Sequence, residues 1–230
     1  VINEGKEAII KTRRGLFERI AIKTHFVQIG SDYIELVKQY VLPHYESGDI
    51  LSIGEKIISL CQRRVVYKKD MRISRLASFL SRFASHSDAG IGVDSVWKMQ
   101  FAIDYCGRLK ILFAAVCAGV GKLFGKKGIF YDIAGIEVRG LDGFYDRVFA
   151  EYGQYGIMLP ENPNAVCYEI FTALGVRCMI VDANDYTVDI LGKSPCLDYT
   201  DTELAEIIAD NPAGQSDQLT PFIIIRKQTD

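Results

Sequence analysis

The chain lacks most of the patterns that announce an activity directly. It has no Gly-x-x-x-x-Gly-Lys-Ser/Thr, and no Gly-x-Gly-x-x-Gly follows a predicted strand, so neither standard glycine-rich phosphate loop is present. Histidine is scarce: His25, His44 and His86 lie apart from one another and from any cysteine motif, which argues against a histidine-based zinc site or nucleophile. His25, on a predicted strand, reads either as functional or as a half-buried polar residue. No Cys-x-x-Cys occurs among the six scattered cysteines, and most of them sit in apolar runs, as expected of buried, reduced thiols in the cytoplasm. A net charge of −2 leaves no dominant basic field for nucleic acid. No apolar run reaches the roughly 20 residues needed to span a bilayer. The longest, residues 111–120 with Leu123 and Phe124 beyond it, is bracketed by Lys110 and by Lys122, Lys126 and Lys127. It reads as a core helix, with a helix lying on a membrane surface as the alternative. The opening residues carry no signal-peptide pattern, consistent with a cytoplasmic protein.

What is present is an ordinary globular composition, 49% hydrophobic and 24% charged over 230 residues, enough for a substantial core. No internal repeat, low-complexity segment or linker divides it, so a single domain over 1–230 is expected, of the α/β (mixed α+β) class. Strands are predicted on either side of the Arg13-Arg14-Gly15 turn, at 50–53, around 63–67 and 129–133, at 176–181 and at 222–226. A helix capped by Asp32 carries Ile34, Val37 and Val41 on one face. From about 70 to 121 the period is helical (Ile73, Leu76, Leu80 and Phe83, then Val96, Met99, Ile103 and Cys106), which marks an insertion between strand-rich halves. Asn162-Pro163 opens a helix with Val166, Ile170 and Leu174 on its apolar side and Gly175 as its stop. A short helix is expected at 202–209.

The most informative stretch is 181–192. The apolar run before it reads as a buried strand, and the segment then presents Asp182, Asn184, Asp185 and Asp189 within eight residues. Carboxylates delivered at a strand's C-terminal end can hold a divalent cation and, through it, a phosphate. The alternative is turn chemistry, in which Asp and Asn bond their own backbone. A second acidic segment follows the predicted strand at 129–133: Asp132, Glu137 and Asp142, with Arg139 among them. The two together suit one or two metal ions clamping phosphates, with Arg139 and Lys56 stabilising a transferring phosphoryl group. The alternative is an ordinary Asp142-Gly143 turn. Residues 210–221 are rich in amides and hydroxyls, suited to a purine edge, a ribose or an amino-acid carboxylate, or to a polar connector.

Several segments, in order, resemble the gamma-glutamyl ligases that act on the deazaflavin coenzyme F-420. They are Ile22-Lys23-Thr24 with Ile29-Gly30-Ser31-Asp32, then Gly48-Asp49-Ile50-Leu51-Ser52-Ile53-Gly54-Glu55-Lys56-Ile57-Ile58-Ser59, then Arg64-Val65-Val66. Later come Ala134-Gly135-Ile136, Leu159-Pro160-Glu161-Asn162-Pro163 and Val181-Asp182. The resemblance spans nearly the whole chain. It implies a gamma-glutamyl-ligase-like fold with mixed sheets, an intertwined homodimer, and formation of a gamma-glutamyl amide through an acyl phosphate. GTP (or ATP), Mg²⁺ or Mn²⁺, L-glutamate and a small-molecule acceptor are the implied ligands. Carried onto this sequence, Asp182, Glu137, Asp142 and Asp185 are the metal candidates, Lys56 and Arg139 face phosphates, and Asn211, Gln215 and Ser216 line the substrate. The chain departs from the family pattern after Ala134-Gly135, where the ligases carry Asp and this chain has Glu137 or, if the loop is shifted, Asp142. It departs again after Asp182, where Ala183-Asn184-Asp185-Tyr186 replaces Ser/Thr-Phe-Gly-Arg. It is similar to a ligase-like branch with an Asn-Pro-x-Gly-Gln-Ser ending, for which a non-catalytic nucleotide- or phospholigand-binding role is the alternative.

Overall fold

A computed structural model of the chain describes residues 3, 5–84, 92–144, 150–183, 187–214 and 218–228. In chain order, β1 (Ile9–Thr12) and β2 (Gly15–Ile22) are followed by α1 (Tyr33–Leu36), which continues as a π-helical turn over Val37–Val41. β3 (Ile50–Gly54) runs straight into α2 (Glu55–Cys61) and on to β4 (Val65–Tyr67). Next come α3 (Arg75–Ser81), α4 (Val96–Cys106), α5 (Arg108–Leu123), α6 (Ile129–Ala134) and α7 (Ile136–Gly140). β5 (Asp142–Gly143), β6 (Tyr155–Ile157), α8 (Pro163–Leu174), β7 (Cys178–Ala183), β8 (Val188–Lys193), α9 (Asp201–Ile207) and β9 (Phe222–Lys227) complete the order. The class is mixed α+β, as the sequence indicates. The chain divides into two compact units, Val1–Arg64 with Pro160–Asp230, and Val65–Leu159. The interposed unit is thus wider than the 70–121 stretch marked by the change of period.

The first unit is built on a six-stranded sheet in the order β1-β2-β9-β3-β7-β8. Only the β3–β7 pair is parallel. β3, β7 and β9 are near-continuous apolar runs because both of their faces are covered. Alternate residues serve different cores. Leu51, Ile53, Cys178, Ile180, Phe222 and Ile224 pack with Val166, Cys167 and Ile170 of α8. On the opposite face Ile50, Met179, Ile223 and Ile225 pack with Leu204 and Ile207 of α9. Each such side chain contributes roughly 1.5–3 kcal/mol when fully buried, and a one-residue slip of register would exchange the two sets. Gly192 of β8 admits the first turn of α8 closely: a Cβ there would lie 2.6 Å from the Pro163 carbonyl carbon and 2.7 Å from the Asn164 nitrogen.

Asp32 caps α1 by accepting from the Ile34 and Glu35 amides at 2.8 and 3.3 Å. Thr200 and Glu203 form a complete capping box on α9. Asn162 stands at the start of α8 as expected, but it adopts φ +47° and its side chain caps nothing; the backbone carbonyl does the work, accepting from Ala165 and Val166. Asparagine tolerates this left-handed geometry better than most residues.

The second unit packs Met99, Ala102 and Ile103 of α4, Ile111 and Ala114 of α5, Phe130 and Ala134 of α6 and Val138 of α7 into one core. A three-stranded antiparallel sheet, β4-β6-β5, belongs to the same unit. The expected strand over 129–133 is instead the helix α6. A short apolar run does not distinguish strand from buried helix by period alone, and here Phe130 and Ala134, four residues apart, share the buried face. Gly128 at φ +86° and Gly135 at φ +109° bracket it. The segment 140–160, expected as loop, contains β5, β6 and a 3-10 turn over Ala150–Gly153. Cys167 and Cys178 are buried thiols, as expected, but Cys61, Cys106 and Cys117 are half-buried, and Cys196 is exposed because it lies in the surface turn after β8.

Arg19 of β2 is fully buried. Its guanidinium donates to both carboxylate oxygens of Asp210, one at 2.9 Å, to the Ile207 carbonyl at 3.1 Å and to the Glu7 carbonyl. Burial alone pushes the Asp210 carboxyl up, but its hydrogen bonds to Arg19 and the charge on that guanidinium outweigh this, and the net shift is downward. A lowered carboxyl stabilises the fold above its unfolded-state value, and that contribution disappears as pH falls through the folded-state value, below 3.8. Asp210→Ala is expected to lower unfolding free energy in urea by about 2–3 kcal/mol, less than for a wholly buried pair because the carboxylate is partly solvated. The difference from the parent protein should shrink in acid; a variant as stable as the parent at pH 7 would show the pair to be dispensable.

Candidate functional site at the sheet edge

Strand register assembles the candidate site of the first unit. Gly54, the last residue of β3, lies opposite Val181 of β7, and its amide donates to the Pro221 carbonyl at 2.9 Å. Ile22, ending β2, and Ile53 of β3 both pair with Phe222, the first residue of β9. The Thr24 amide donates to the Leu219 carbonyl at 2.8 Å. One edge of the sheet therefore collects the C-terminal ends of β2, β3 and β7 and the chain entering β9. Lys56, half-buried in the first turn of α2, lies two residues after Gly54. Asp182 follows Val181.

Asp182 is a residue of β7 rather than of a loop, and it lies directly opposite Asp189 of β8. Directly opposed residues of an antiparallel pair project from the same face, and like charges so placed repel. Two facing carboxylates on one face can hold a cation between them. Asp185, in that turn, lies outside the described residues, as do Gln215 and Ser216. The register shift between Ile180 and Val181 leaves Leu191 of β8 as an extra residue, and through it Asp182 comes to lie opposite Asp189.

Asn211 is buried at φ +51° and its side-chain amide donates to the Gly214 carbonyl at 3.2 Å, closing the turn over 211–214. The same loop is stapled from the other end of the chain. Asn3 Nδ2 lies 3.0 Å from the carbonyls of Pro212 and Ala213 and 2.7 Å from Thr220 Oγ1. Sequence reasoning did not single out Asn3, and a lone asparagine near a terminus gives no signal to do so. A shallow hollow of about 310 Å³ beside this edge, lined by Ile20, Ile22, Lys23, Tyr40 and His44 among others, contains none of the metal, phosphate or substrate candidates. The strand ends hold the charged candidates Lys56 and Asp182, so the hollow is the weaker candidate.

Glu137, Arg139 and Asp142 belong to the second unit. Glu137 is half-buried in the first turn of α7, and Asp142 pairs with Ile157 in the small sheet. The Arg139 guanidinium bonds Asp132 at 2.6 Å, a largely exposed pair that contributes little to stability. Among the described residues no three His, Cys, Asp or Glu side chains gather as a ready-made metal group, and no helix is long and apolar enough to cross a membrane.

The second unit also holds a charged residue that the sequence reading passed over. Lys98 of α4 is buried, with Nζ donating to the carbonyls of Arg139 at 3.0 Å and Leu141 at 2.8 Å and lying 5.5 Å from the Tyr131 ring centroid. It ties the end of α7 to α4. Its only sequence signal is a lysine set between Trp97 and Met99 in an otherwise apolar turn.

No protein-family model matches this chain, and no curated protein matches it either.

Desolvation pulls the Lys98 ammonium down to about 8, against the charges of Asp142 and Asp94, which pull it up. The folded state therefore holds this proton less tightly than the unfolded chain, so the penalty for burying the charge is present at neutral pH and is relieved between about 8 and 10.5. An NMR titration of the Lys98 side-chain ¹³Cε resonance is expected to show a midpoint near 8. A midpoint at the ordinary lysine value would contradict the burial argument.

Proposed function

We propose that the chain is a nucleotide- and divalent-metal-dependent amide ligase of the gamma-glutamyl type, acting on a coenzyme F-420-type or related acceptor. The observation that carries the reading is the meeting of Lys56, Asp182 and the chain entering β9 on one sheet edge. Open sheets bind ligands beyond the carboxyl ends of their strands, and the three groups have the chemistry such a reaction requires. In that reaction an acceptor carboxylate oxygen attacks the terminal phosphorus of GTP (or ATP), and the nucleoside diphosphate leaves. The glutamate amine then attacks the acyl carbon, the amide bond forms, and inorganic phosphate departs. Lys56 faces the transferring phosphoryl group and balances its charge. Asp182, with Asp189 across the hairpin, would hold Mg²⁺ or Mn²⁺, which neutralises triphosphate charge when bound. The amide- and hydroxyl-bearing loop from Asn211 onward, with Gln215 and Ser216, faces the substrate carboxylate or the nucleoside. For Asp185, and for Glu137, Asp142 and Arg139 of the second unit, the metal and phosphate roles rest on the resemblance to the gamma-glutamyl ligases alone, as does a cytoplasmic homodimer.

A second reading, a binding protein that keeps the phospholigand site without the transfer chemistry, draws on one feature. The segment after Asp182 has neither the hydroxyl nor the arginine of the ligase pattern. Calorimetric titration of GTP and ATP, with and without Mn²⁺, separates the readings. Metal-dependent binding is expected, at least about tenfold weaker in Asp182→Asn, with phosphate release when glutamate and an acceptor are both supplied. Binding without turnover under any acceptor selects the second reading. No binding of either nucleotide would overturn both.

A further inference from the structure

α5 is apolar on two opposite sides, and only one of them is used. Ile111, Ala114 and Gly121 face the core of the second unit. Leu109, Leu112, Phe113, Val116, Val120 and Leu123 are exposed, Leu109 and Leu123 at 85% and 84% and Phe113 and Val116 at 61% and 65%. At 100° per residue these six fall within an arc of about 100° on the side away from the core. Phe124, 77% exposed, extends the stripe past the helix end. Scattered single exposed apolar residues are ordinary, but a continuous helical stripe of leucine, valine and phenylalanine marks an interaction surface.

The charges around the stripe identify what covers it. From Tyr105 to Tyr131 the chain contains Arg108, Lys110, Lys122, Lys126 and Lys127 and no acidic residue at all. The cationic residues stand at the two ends of α5 and leave its exposed face wholly apolar. A second copy of the same helix would bring five like charges against five with no carboxylate in the segment to answer them, so self-pairing is disfavoured in either orientation. An anionic bilayer surface answers both features: the apolar stripe enters the boundary between headgroups and acyl chains, and long lysine side chains reach back to the phosphates. With 16 residues α5 is about 24 Å long and lies along a membrane rather than through it.

We propose that α5 docks the protein on anionic lipid bilayers, with the stripe from Leu109 to Leu123 inserted and Lys122, Lys126 and Lys127 against the headgroups. The inference is independent of the ligase reading, since it uses residues of the second unit that the reaction does not require. The test is co-sedimentation of the full chain with vesicles of phosphatidylcholine alone and of phosphatidylcholine with phosphatidylserine. Binding to the anionic vesicles is expected, weakening with added salt. It should fall at least about tenfold in Lys126→Glu/Lys127→Glu and in Val116→Glu. Both variants alter exposed positions, and their thermal midpoints should match the parent protein. The salt series on the unaltered chain tests the electrostatic part without any variant. No sedimentation with anionic vesicles, equal binding to both vesicle types, or binding unchanged in both variants would overturn the proposal. A dimer in solution that Val116→Glu dissociates, without vesicle binding, would assign the face to a second copy instead.

Discussion

A guanidinium with no solvent contact must find partners for its donors inside the protein, and Arg19 finds all of them at one junction. It bonds the Glu7 carbonyl before β1, the Ile207 carbonyl at the end of α9, and the Asp210 carboxylate where the chain turns toward β9. Removing the Asp210 carboxylate would strand a buried charge, so the chain before β1 and the segment 207–210, about two hundred residues later, are fixed to β2 together. β9 is the strand that benefits. It lies between β2 and β3, and its own residues divide evenly between the cores on the two faces of the sheet. Arg226, near the C-terminal end of β9 and next to Ile225, the partner of Arg19, bonds Asp49 at 3.0 and 2.8 Å. Both ion pairs lie beside the C-terminal part of β9, and at its start the strand registers bring Gly54, Pro221 and Val181 into line.

The candidate site depends on this alignment more than on any single motif. Lys56 and Asp182 are separated by more than a hundred residues, yet the parallel β3–β7 pairing puts both at the end of that strand pair, Asp182 within β7 and Lys56 just after β3. The loop entering β9 reaches the same edge through the Gly54–Pro221 and Thr24–Leu219 backbone bonds. Its own shape is held by Asn211, Thr220 and Asn3, all of which spend their side-chain bonds on backbone carbonyls or on one another. The loop's amide-rich composition thus has a structural use as well as the proposed recognition role, and Asn211 in particular bonds its own turn.

Where local chemistry decides the structure, the sequence is readable. The hairpin at Arg13-Arg14-Gly15, the Asp32 cap, the Pro163-to-Gly175 helix and the apolar strand at 222–227 all carry their signals within a few residues. Where tertiary context decides, it is not. The run 129–133 looks like a strand because nothing local reveals that Phe130 and Ala134 share a buried face. β5 and β6 are two and three residues long and exist only through pairing with each other and with β4. The place of Asp182 within a strand, opposite Asp189, depends on a bulge that no spacing rule predicts. Lys98 is invisible for the same reason: a lysine in an apolar turn gives no hint that two carbonyls wait for it. The exposed stripe on α5 is the converse case, since an apolar run reads as core and only the fold shows that half of it faces outward.

The sheet edge and the α5 stripe belong to different units and use different physics, directional charge at one and non-directional apolar burial at the other. For the first, the edge formed by β3, β7 and β9, we propose the binding of a metal–nucleotide complex. Paramagnetic broadening of amide resonances by Mn²⁺ with GTP, read residue by residue, tests it most directly. The account predicts that signals from Gly54, Lys56, Val181 and Asp182 are lost first, while the Arg226–Asp49 end of the same sheet is spared. Broadening centred at that opposite end, or spread evenly over the surface, would contradict it.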